Sequence, residues 1–513
     1  MSTKKILAVL LALFVLATAV SGCGNSGSSS ADSQSGSSAT SENSASTEDT
    51  ASTDGEVPTI SLMVVCGTTP PDADAVAEKL SEITREKIGC NVEFITMEIG
   101  NVAQQLNLLL SGGDDTLDVF MAGISVPYST IVNNGQALSL DTLMEPYAEE
   151  VKTALGEKVY ESGRVNGELY GIGRLLDQAS TTCYNLRRDI AEEFGYKNGD
   201  KVDLAELTEL FGKVREKYPD TPLIGPMNGV PSIGDSRIDS LGNKLGVLDN
   251  YGQDTTVTNY YESAGYEELV GYFKQWKEMG CYMADILNVT DAPIDYIPSG
   301  KAFGCFASHF SAEMNGIWSS QNFGTDIASL QIYEDAVAIT PGAYECINPA
   351  TKNPEAAAAL IYLMATDPDV ENLLINGIEG QHYQVLEDNT ATYVDGKDIS
   401  TTGWCLGYSW TALNSTISIP FEYPADYYDR MLAANKNAQQ SKAFGCQFDL
   451  TGVSDAVSAC TNVVNQYENA LSGGAVEDFD ATLAQFQQGL RDAGIDEIVA
   501  AKQEPVSYTH LRA

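Results

Sequence analysis

The chain has 513 residues, with 29 Lys and Arg against 71 Asp and Glu, so its formal net charge is −42. That length predicts two or three domains with ample material for proper cores, while a pI near 4.2 excludes nucleic acid and anionic membrane surfaces as partners, since both need clustered Lys and Arg. Only His309, His382 and His510 are present, which disfavours His-ligated metals and Ser-His hydrolases, and neither a metal nor a cofactor is expected.

Lys4 and Lys5 precede an apolar run from Ile6 to Val20, the charged and hydrophobic regions of an export signal. The run is shorter than the roughly 20 residues that span a bilayer, so a permanent transmembrane helix is the weaker reading. Val20-Ser21-Gly22-Cys23 resembles the lipobox of bacterial lipoproteins, in which the Cys is acylated and becomes the new N-terminus; Cys23 is therefore the expected lipidation site. The alternative is a secreted protein with a Cys at its cleavage site. Residues 24 to about 57 are almost entirely Ser, Gly, Ala, Thr, Asp, Glu and Asn, a composition that cannot bury enough surface to fold and behaves as a tether. The layout predicts a body held on the extracellular face of the cell membrane by a lipid anchor.

The body opens with a strand-like run at Thr59–Val65 and a turn at 67–71. Asp72 is a candidate N-cap for a helix whose apolar positions are Val76, Leu80, Ile83 and Ile88. A second strand is expected at Asn91–Ile95, and a helix through Val102, Leu106, Leu109 and Leu110 up to Gly112-Gly113. A third strand follows at Leu117–Met121. Alternation at this pitch means a mainly parallel sheet wrapped by helices, with ligand loops at the carboxyl ends of the strands, here 67–71 and 122–128. Besides Cys23 there are nine cysteines, Cys66, Cys90, Cys183, Cys281, Cys305, Cys346, Cys405, Cys446 and Cys460. None forms a C-x-x-C pair, and their apolar surroundings suit buried, mostly reduced thiols.

Enzyme signatures are absent or broken. There is no phosphate-binding loop, and Gly171-Ile172-Gly173 lacks the third Gly of a dinucleotide turn. Gly123-Ile124-Ser125-Val126-Pro127 ends in Pro where a nucleophile elbow needs Gly. Asp114-Asp115 and Asp395–Asp398 do not have the regular ligand spacing of an EF-hand loop. Glycoside hydrolysis needs only two carboxylates about 5–10 Å apart, so it stays open as an alternative.

Four stretches carry a resemblance to the extracellular solute-binding proteins of ABC importers, in particular the large sugar-binding lipoproteins of Gram-positive bacteria. They are "LNLLLSGGDDTLDVF" (106–120), "GELYGIG" (167–173), "NPATKNPEAAAALIYLMAT" (348–366, with Asn353-Pro354-Glu355 as a helix start), and a segment from about Leu373 to Lys502 that includes "NGIEGQHY" (376–383) and "AGIDEIVAAKQ" (493–503). The last resembles a C-terminal domain of unknown function typical of one subgroup. The resemblance implies an α/β, two-lobed, periplasmic-binding-protein-like (type II) fold with an interlobe ligand cleft. It implies a signal peptide at 1–22, the lipidated Cys and tether at 23–57, a first part of lobe 1 at 58–173, and lobe 2 at 174–335. Then come a return to lobe 1 at 336–372 and the C-terminal domain completing the lobes at 373–505. The lobe crossings would fall near 174–184 and 335–345. As partners it implies a carbohydrate, expected to be an oligosaccharide, and the permease subunits, with the protein itself a monomer and no covalent chemistry. A hydrolase and a peptide-binding lipoprotein of the same fold are the alternatives.

A sugar site pairs aromatic platforms with polar side chains, and the chain holds 25 Tyr, 15 Phe and 4 Trp. The densest group is Trp404, Tyr408 and Trp410, in a stretch without helical period; packing is the competing role. Tyr128 follows the third strand in a loop expected at the cleft mouth, or packs that loop. Arg174, just after "GELYGIG", could fork onto hydroxyls or serve in a hinge salt bridge. Phe306 and His309 fall where the resemblance places cleft residues of lobe 2. Glu379, with His382 and Tyr383, is a polar-aromatic group that either meets ligand or packs the C-terminal part on a lobe. The final "VSYTHLRA" (506–513) resembles a translated sequencing adapter and is read as an artefactual tail.

Overall fold

Seven consecutive residues of strand β1 (Thr59–Cys66) are buried, the signature of a central strand covered on both faces. Ile60, Leu62 and Val64 join one core with Val76 and Leu80 of helix α1 (Ala73–Lys87); Met63 and Val65 join another with Leu106 and Leu110 of α2 (Val102–Ser111). The protein is described here by a computed structural model covering residues 57–112, 116–124, 126–227, 233–289, 291–333, 336–398, 400–404 and 411–509. The expected lipidation site, Cys23, and the candidates Tyr408 and Trp410 lie outside these residues. From Glu56 on the chain is one compact unit.

β1 pairs in parallel with β2 (Asn91–Glu98) and with β3 (Val119–Ala122). The third strand starts two residues later than its apolar pattern suggests. Asp118 is held by the main-chain N–H and hydroxyl of Ser61, which donate to its Oδ2 at 2.8 and 2.9 Å. β4 (Gly171–Gly173) and β9 (Tyr344–Ile347) complete this sheet in the order β2-β1-β3-β9-β4, with β9 antiparallel to both neighbours. Behind it lie α7 (Pro354–Thr366), which does begin after Asn353, and α8 (Pro368–Asn376).

The second sheet is built on β5 (Ala179–Arg187). β6 (Gly304–His309) runs antiparallel along one side, from Gly304 opposite Leu186 to His309 opposite Thr181. On the other side β7 (Ile327–Gln331) and β8 (Val337–Ala338) share its length, and β12 (Gln439–Gln440) follows β8 in parallel. Its core contains Leu207, Leu210 and Phe211 of α4 (Leu204–Lys217), Phe273 and Trp276 of α5 (Ala264–Glu278), and Tyr184 and Phe306 from the sheet. Three C-terminal helices, α10 (Ser454–Ser472), α11 (Phe479–Asp492) and α12 (Ile495–Thr509), close that core through Leu471, Phe479, Phe486, Leu490, Ile495 and Ile498. Thus two sheets with separate cores make an α/β, two-lobed fold.

The chain passes between the sheets three times. It leaves β4 for β5 through 174–178 and leaves β8 for β9 through 339–343. It passes again between Phe421, which packs in the first lobe, and α9 (Tyr427–Asn437), which packs through Met431 on Ala179, Phe310 and Met314 of the second. A strap at 443–448 lies along the second crossing. Thr340 Oγ1 accepts from Gly445 N, Gln447 Nε2 donates to Tyr344 Oη and to Ser162 O, and Ser129 Oγ donates to Phe448 O. Eight cysteines, all those expected except Cys405, which lies outside the described residues, are buried. No helix among the described residues is long and apolar enough to cross a membrane. α12 extends through residues 506–509 of the tail, with Val506 fully buried against Leu241, Leu248 and Val257.

Candidate functional site at the lobe crossings

Tyr423-Pro424-Ala425-Asp426-Tyr427 forms a turn closed by Tyr427 N donating to Pro424 O at 2.9 Å. The turn lays the two tyrosine rings face to face, with centroids 4.1 Å apart and planes 15° from parallel. Both rings are half-buried, so a polar solute can reach them. Tyr427 also meets Phe310 edge-on at 5.5 Å, and Phe310 packs on His309 at 4.6 Å.

Helix α9 is clamped to the first crossing by one side chain. Asn435 Oδ1 accepts from the main-chain N–H of both Gln178 and Ala179 at 2.9 Å, and its Nδ2 donates to Leu176 O at 2.8 Å. This clamp brings the tyrosine platform to Asp177. Solvent reaches that carboxylate, yet protein crowds it on most sides, and this burial pushes it up to about 6 against the opposing pull of Arg174. On the first crossing and the adjoining ends of β5 and β6, three buried polar atoms have no hydrogen-bond partner among the described residues: Gln178 Nε2, Thr181 Oγ1 and His309 Nδ1. Thr181 and His309 are register partners across β5 and β6. Unpaired buried polar atoms carry a desolvation penalty of about 1–3 kcal/mol each, and a ligand rich in hydroxyls would relieve it. Burial holds the His309 imidazole neutral, down to about 4, so it can donate or accept without carrying charge.

Arg174 lies at the hinge but is turned inward, only 4% exposed. Its Nε donates to Ala412 O at 2.6 Å, and the Glu345 and Glu371 carboxyls face it. Neither carboxylate oxygen of Glu345 has a partner among the described residues, and Glu371 keeps only Oε1 engaged, accepting from Leu413 N at 3.2 Å. Burial pushes both acids up to about 8 and the guanidinium down to about 10. Arg174 is thus the centre of a buried charge cluster joining the first crossing, β9 and the segment after 410, and it presents no free fork to a hydroxyl.

Several expected contacts are packing residues instead. Tyr128 is buried; its hydroxyl donates to Gly163 O at 2.6 Å and its ring stacks on Tyr344 at 4.1 Å. Phe306 points into the second lobe's core, stacked on Trp276 at 5.4 Å and packed with Tyr184, on the buried first half of β6, while Ala307, Ser308 and His309 at its other end are less buried. Trp404 is 3% exposed, with Nε1 donating to Leu374 O at 3.1 Å and the ring against Phe94. Tyr383 is buried in the hairpin of β10 (Tyr383–Val385) and β11 (Ala391–Tyr393), and Glu379 is exposed on the loop before it.

His382 explains that loop and one missing cap. Ile378 N donates to its Nδ1 at 2.8 Å, so the ring proton is on Nε2, which donates to Asp72 Oδ2 at 3.1 Å. Asp72 therefore makes no cap hydrogen bond to α1; the His382 hydrogen bond also holds its carboxyl below the usual range. Gly403, at φ +90°, lies so close that a Cβ would sit 2.3 Å from Asp72 Oδ2. Replacing Asp72 by Ala leaves a fully buried imidazole N–H unpaired, which should destabilise the protein by about 1–3 kcal/mol. Urea unfolding measures this, and an unchanged midpoint would show that the His382 contact is dispensable.

Aromatic clustering like that at 404–410 also marks Tyr423, Tyr427 and Tyr428 in the sequence, where Pro424 signals a turn, and it is the local signal that points to this platform. Asp177 lies three residues from Arg174, but no local signal marks it. Its partner α9 is 250 residues away.

Comparison with known proteins agrees with this architecture. Residues 442–507 match the family described as Domain of unknown function (DUF3502). A protein of Streptococcus pneumoniae serotype 4 described as a carbohydrate ABC transporter substrate-binding protein is 23% identical over 462 residues, 88% of this chain and 90% of that one. Among solved structures, the N-glycan transport solute-binding protein NgtS of Streptococcus pneumoniae superposes with a TM-score of 0.75 at 19% identity, over 88% of this chain and 99% of that one. The same protein in complex with Man5GlcNAc superposes at 0.65 and 20% identity, over 89% and 99%. A human-milk-oligosaccharide (HMO)-binding solute-binding protein of Bifidobacterium longum infantis gives 0.62 at 15% identity, over 88% and 99%. The chain has the two-lobed fold of the solute-binding proteins of ABC importers.

Proposed function

We propose that this chain is the substrate-binding component of a carbohydrate ABC transporter, capturing an oligosaccharide between its lobes and delivering it to the permease without altering it. The observation that carries the reading is the solvent-reachable Tyr423–Tyr427 pair next to Asp177, at the point where the lobes join and where the first crossing and the strands it enters hold three polar groups unpartnered among the described residues. A pyranose ring has an apolar face for such a platform and hydroxyls for such groups. The descriptions of the relatives, from the carbohydrate transporter component to the protein solved with Man5GlcNAc, point the same way. Closure of one lobe on the other around the sugar would be the hinge motion that this fold allows. We place the mature protein as a monomer on the outer face of the membrane, anchored by a lipid on Cys23 through the tether at 24–57. Tyr408 and Trp410 keep their proposed role as ligand contacts.

The reading is tested by thermal unfolding of the protein against panels of oligosaccharides and peptides. A ligand that binds the folded state alone adds about 2.7 kcal/mol at a hundredfold excess over its dissociation constant. One saccharide class should raise the midpoint, the sugar being recovered intact, and Tyr427→Ala should weaken that ligand about tenfold or more. Cleaved product would instead establish a hydrolase. A shift with peptides and none with saccharides would overturn the carbohydrate reading and leave the fold unaffected.

A further inference from the structure

We infer that the site takes uncharged oligosaccharides and turns away glycans bearing carboxylates, with Asp177 as the residue that discriminates. The inference rests on the capture reading above and adds the ligand's charge class to it.

The charges around the tyrosine platform are almost all of one sign. The segments that build it, residues 177, 309–313 and 422–430, carry five carboxylates, Asp177, Glu313, Glu422, Asp426 and Asp429, against one cation, Arg430. That cation is already engaged: its Nε donates to Asp426 Oδ2 at 2.8 Å and its Nη1 to Glu313 Oε1 at 3.0 Å. The other guanidinium near the crossing, Arg174, is buried and faces Glu345 and Glu371. His309 supplies no positive charge either, because it is crowded by protein and has no acid partner. Recognition of a uronate or sialate carboxylate calls for a guanidinium, an ammonium or a set of main-chain N–H groups aimed at it, and these segments provide no uncommitted cation.

Asp177 makes the exclusion local. It is a carboxylate next to Tyr427, and among the described residues its side chain has no hydrogen bond beyond its own main-chain N–H. An ionised carboxylate is an acceptor only, so it suits the O–H donors of a neutral sugar and repels a second carboxylate at the same distance. The buried Thr181 hydroxyl and His309 Nδ1 on the adjoining strands, unpartnered among the described residues, are neutral as well and add no cation for a carboxylate to meet.

The test pairs neutral oligomers with their uronate counterparts of the same linkage, for instance β-1,4-mannotriose with β-1,4-trimannuronate and the glucose and galactose equivalents. Calorimetric titration is run near neutral pH on the protein and on Asp177→Asn. All binders should be neutral, each uronate counterpart being about tenfold weaker or more. Asp177→Asn, whose melting point should stay close to that of the parent, should weaken the neutral ligand and narrow the gap between the members of a pair. A uronate that binds as tightly as its neutral partner overturns the inference and leaves capture standing. A gap unchanged in Asp177→Asn overturns the role of Asp177. Absence of binding across both halves of the panel overturns the capture reading itself.

Discussion

Arg174→Met should destabilise the protein by about 3–5 kcal/mol at pH 8, the usual result of removing one partner from a buried charge cluster, and by much less at pH 5. Glu345 and Glu371 are fully buried and face the Arg174 guanidinium, with Asp177, Cys346 and the Tyr428 hydroxyl as further neighbours of the cluster. Without the guanidinium, each carboxyl can escape an uncompensated charge only by keeping its proton, which is easy in acid and increasingly costly as the pH rises. The parent protein should show the same trend in weaker form. Both acids are raised from 4.5 to about 8 by burial. A carboxyl raised in the folded state holds its proton there while the unfolded chain releases it. The stability this provides is complete below about pH 4.5 and is lost as the pH climbs through about 8. Each such group can contribute a slope of up to about 1.4 kcal/mol per pH unit within that window. Urea unfolding at pH 5 and 8 measures both effects, and Glu345→Gln should flatten the parent's slope. Equal destabilisation by Arg174→Met at the two pH values would show that the carboxyls are not held by the arginine.

Trp276→Ala should also destabilise by about 3–5 kcal/mol, through loss of transfer energy and the cavity left behind. The indole is fully buried between α4 and α5, 5.4 Å from the rings of both Phe211 and Phe306. Its Nε1 donates to Thr208 Oγ1 at 2.9 Å, and that hydroxyl donates in turn to Leu204 O. Trp276→Phe keeps most of the packing and loses the indole donor, so a cost of about 1–2 kcal/mol is expected. Because Phe306 precedes His309 on the same strand, the alanine variant should loosen the second lobe's side of the site as well. Calorimetry of the two variants reads this as a lower and broader transition for Trp276→Ala, and near-parent transitions in both would mean that the indole is not central to this core.

Residues 59–111 are where local pattern and final structure agree best. β1, α1, β2 and α2 all lie where apolar periodicity places them, because each element buries a stripe or face written in its own consecutive residues. Disagreement arises where a side chain's partner is remote. Asp72 has the chemistry of an N-cap, yet His382, 310 residues on, takes its carboxylate. Tyr128, Phe306 and Trp404 have the chemistry of a sugar platform. They are packed because Tyr344, Trp276 and Phe94 face them across elements that no local window contains.

The sequence by itself determined the acidic character of the protein, the alternation of strands and helices that gives an α/β fold, and the residue types from which a hydroxyl-binding site can be built. Only the tertiary structure decided which of those residues form one. Side chains of the same kind become platform or core according to whether the strand register and a neighbouring helix leave a face open to solvent. Asp177 and Tyr427, separated by 250 positions, meet because Asn435 clamps α9 to the first crossing. That clamp is a set of directional hydrogen bonds between remote segments, and hydrophobic periodicity, which records only what each segment buries, carries no trace of it.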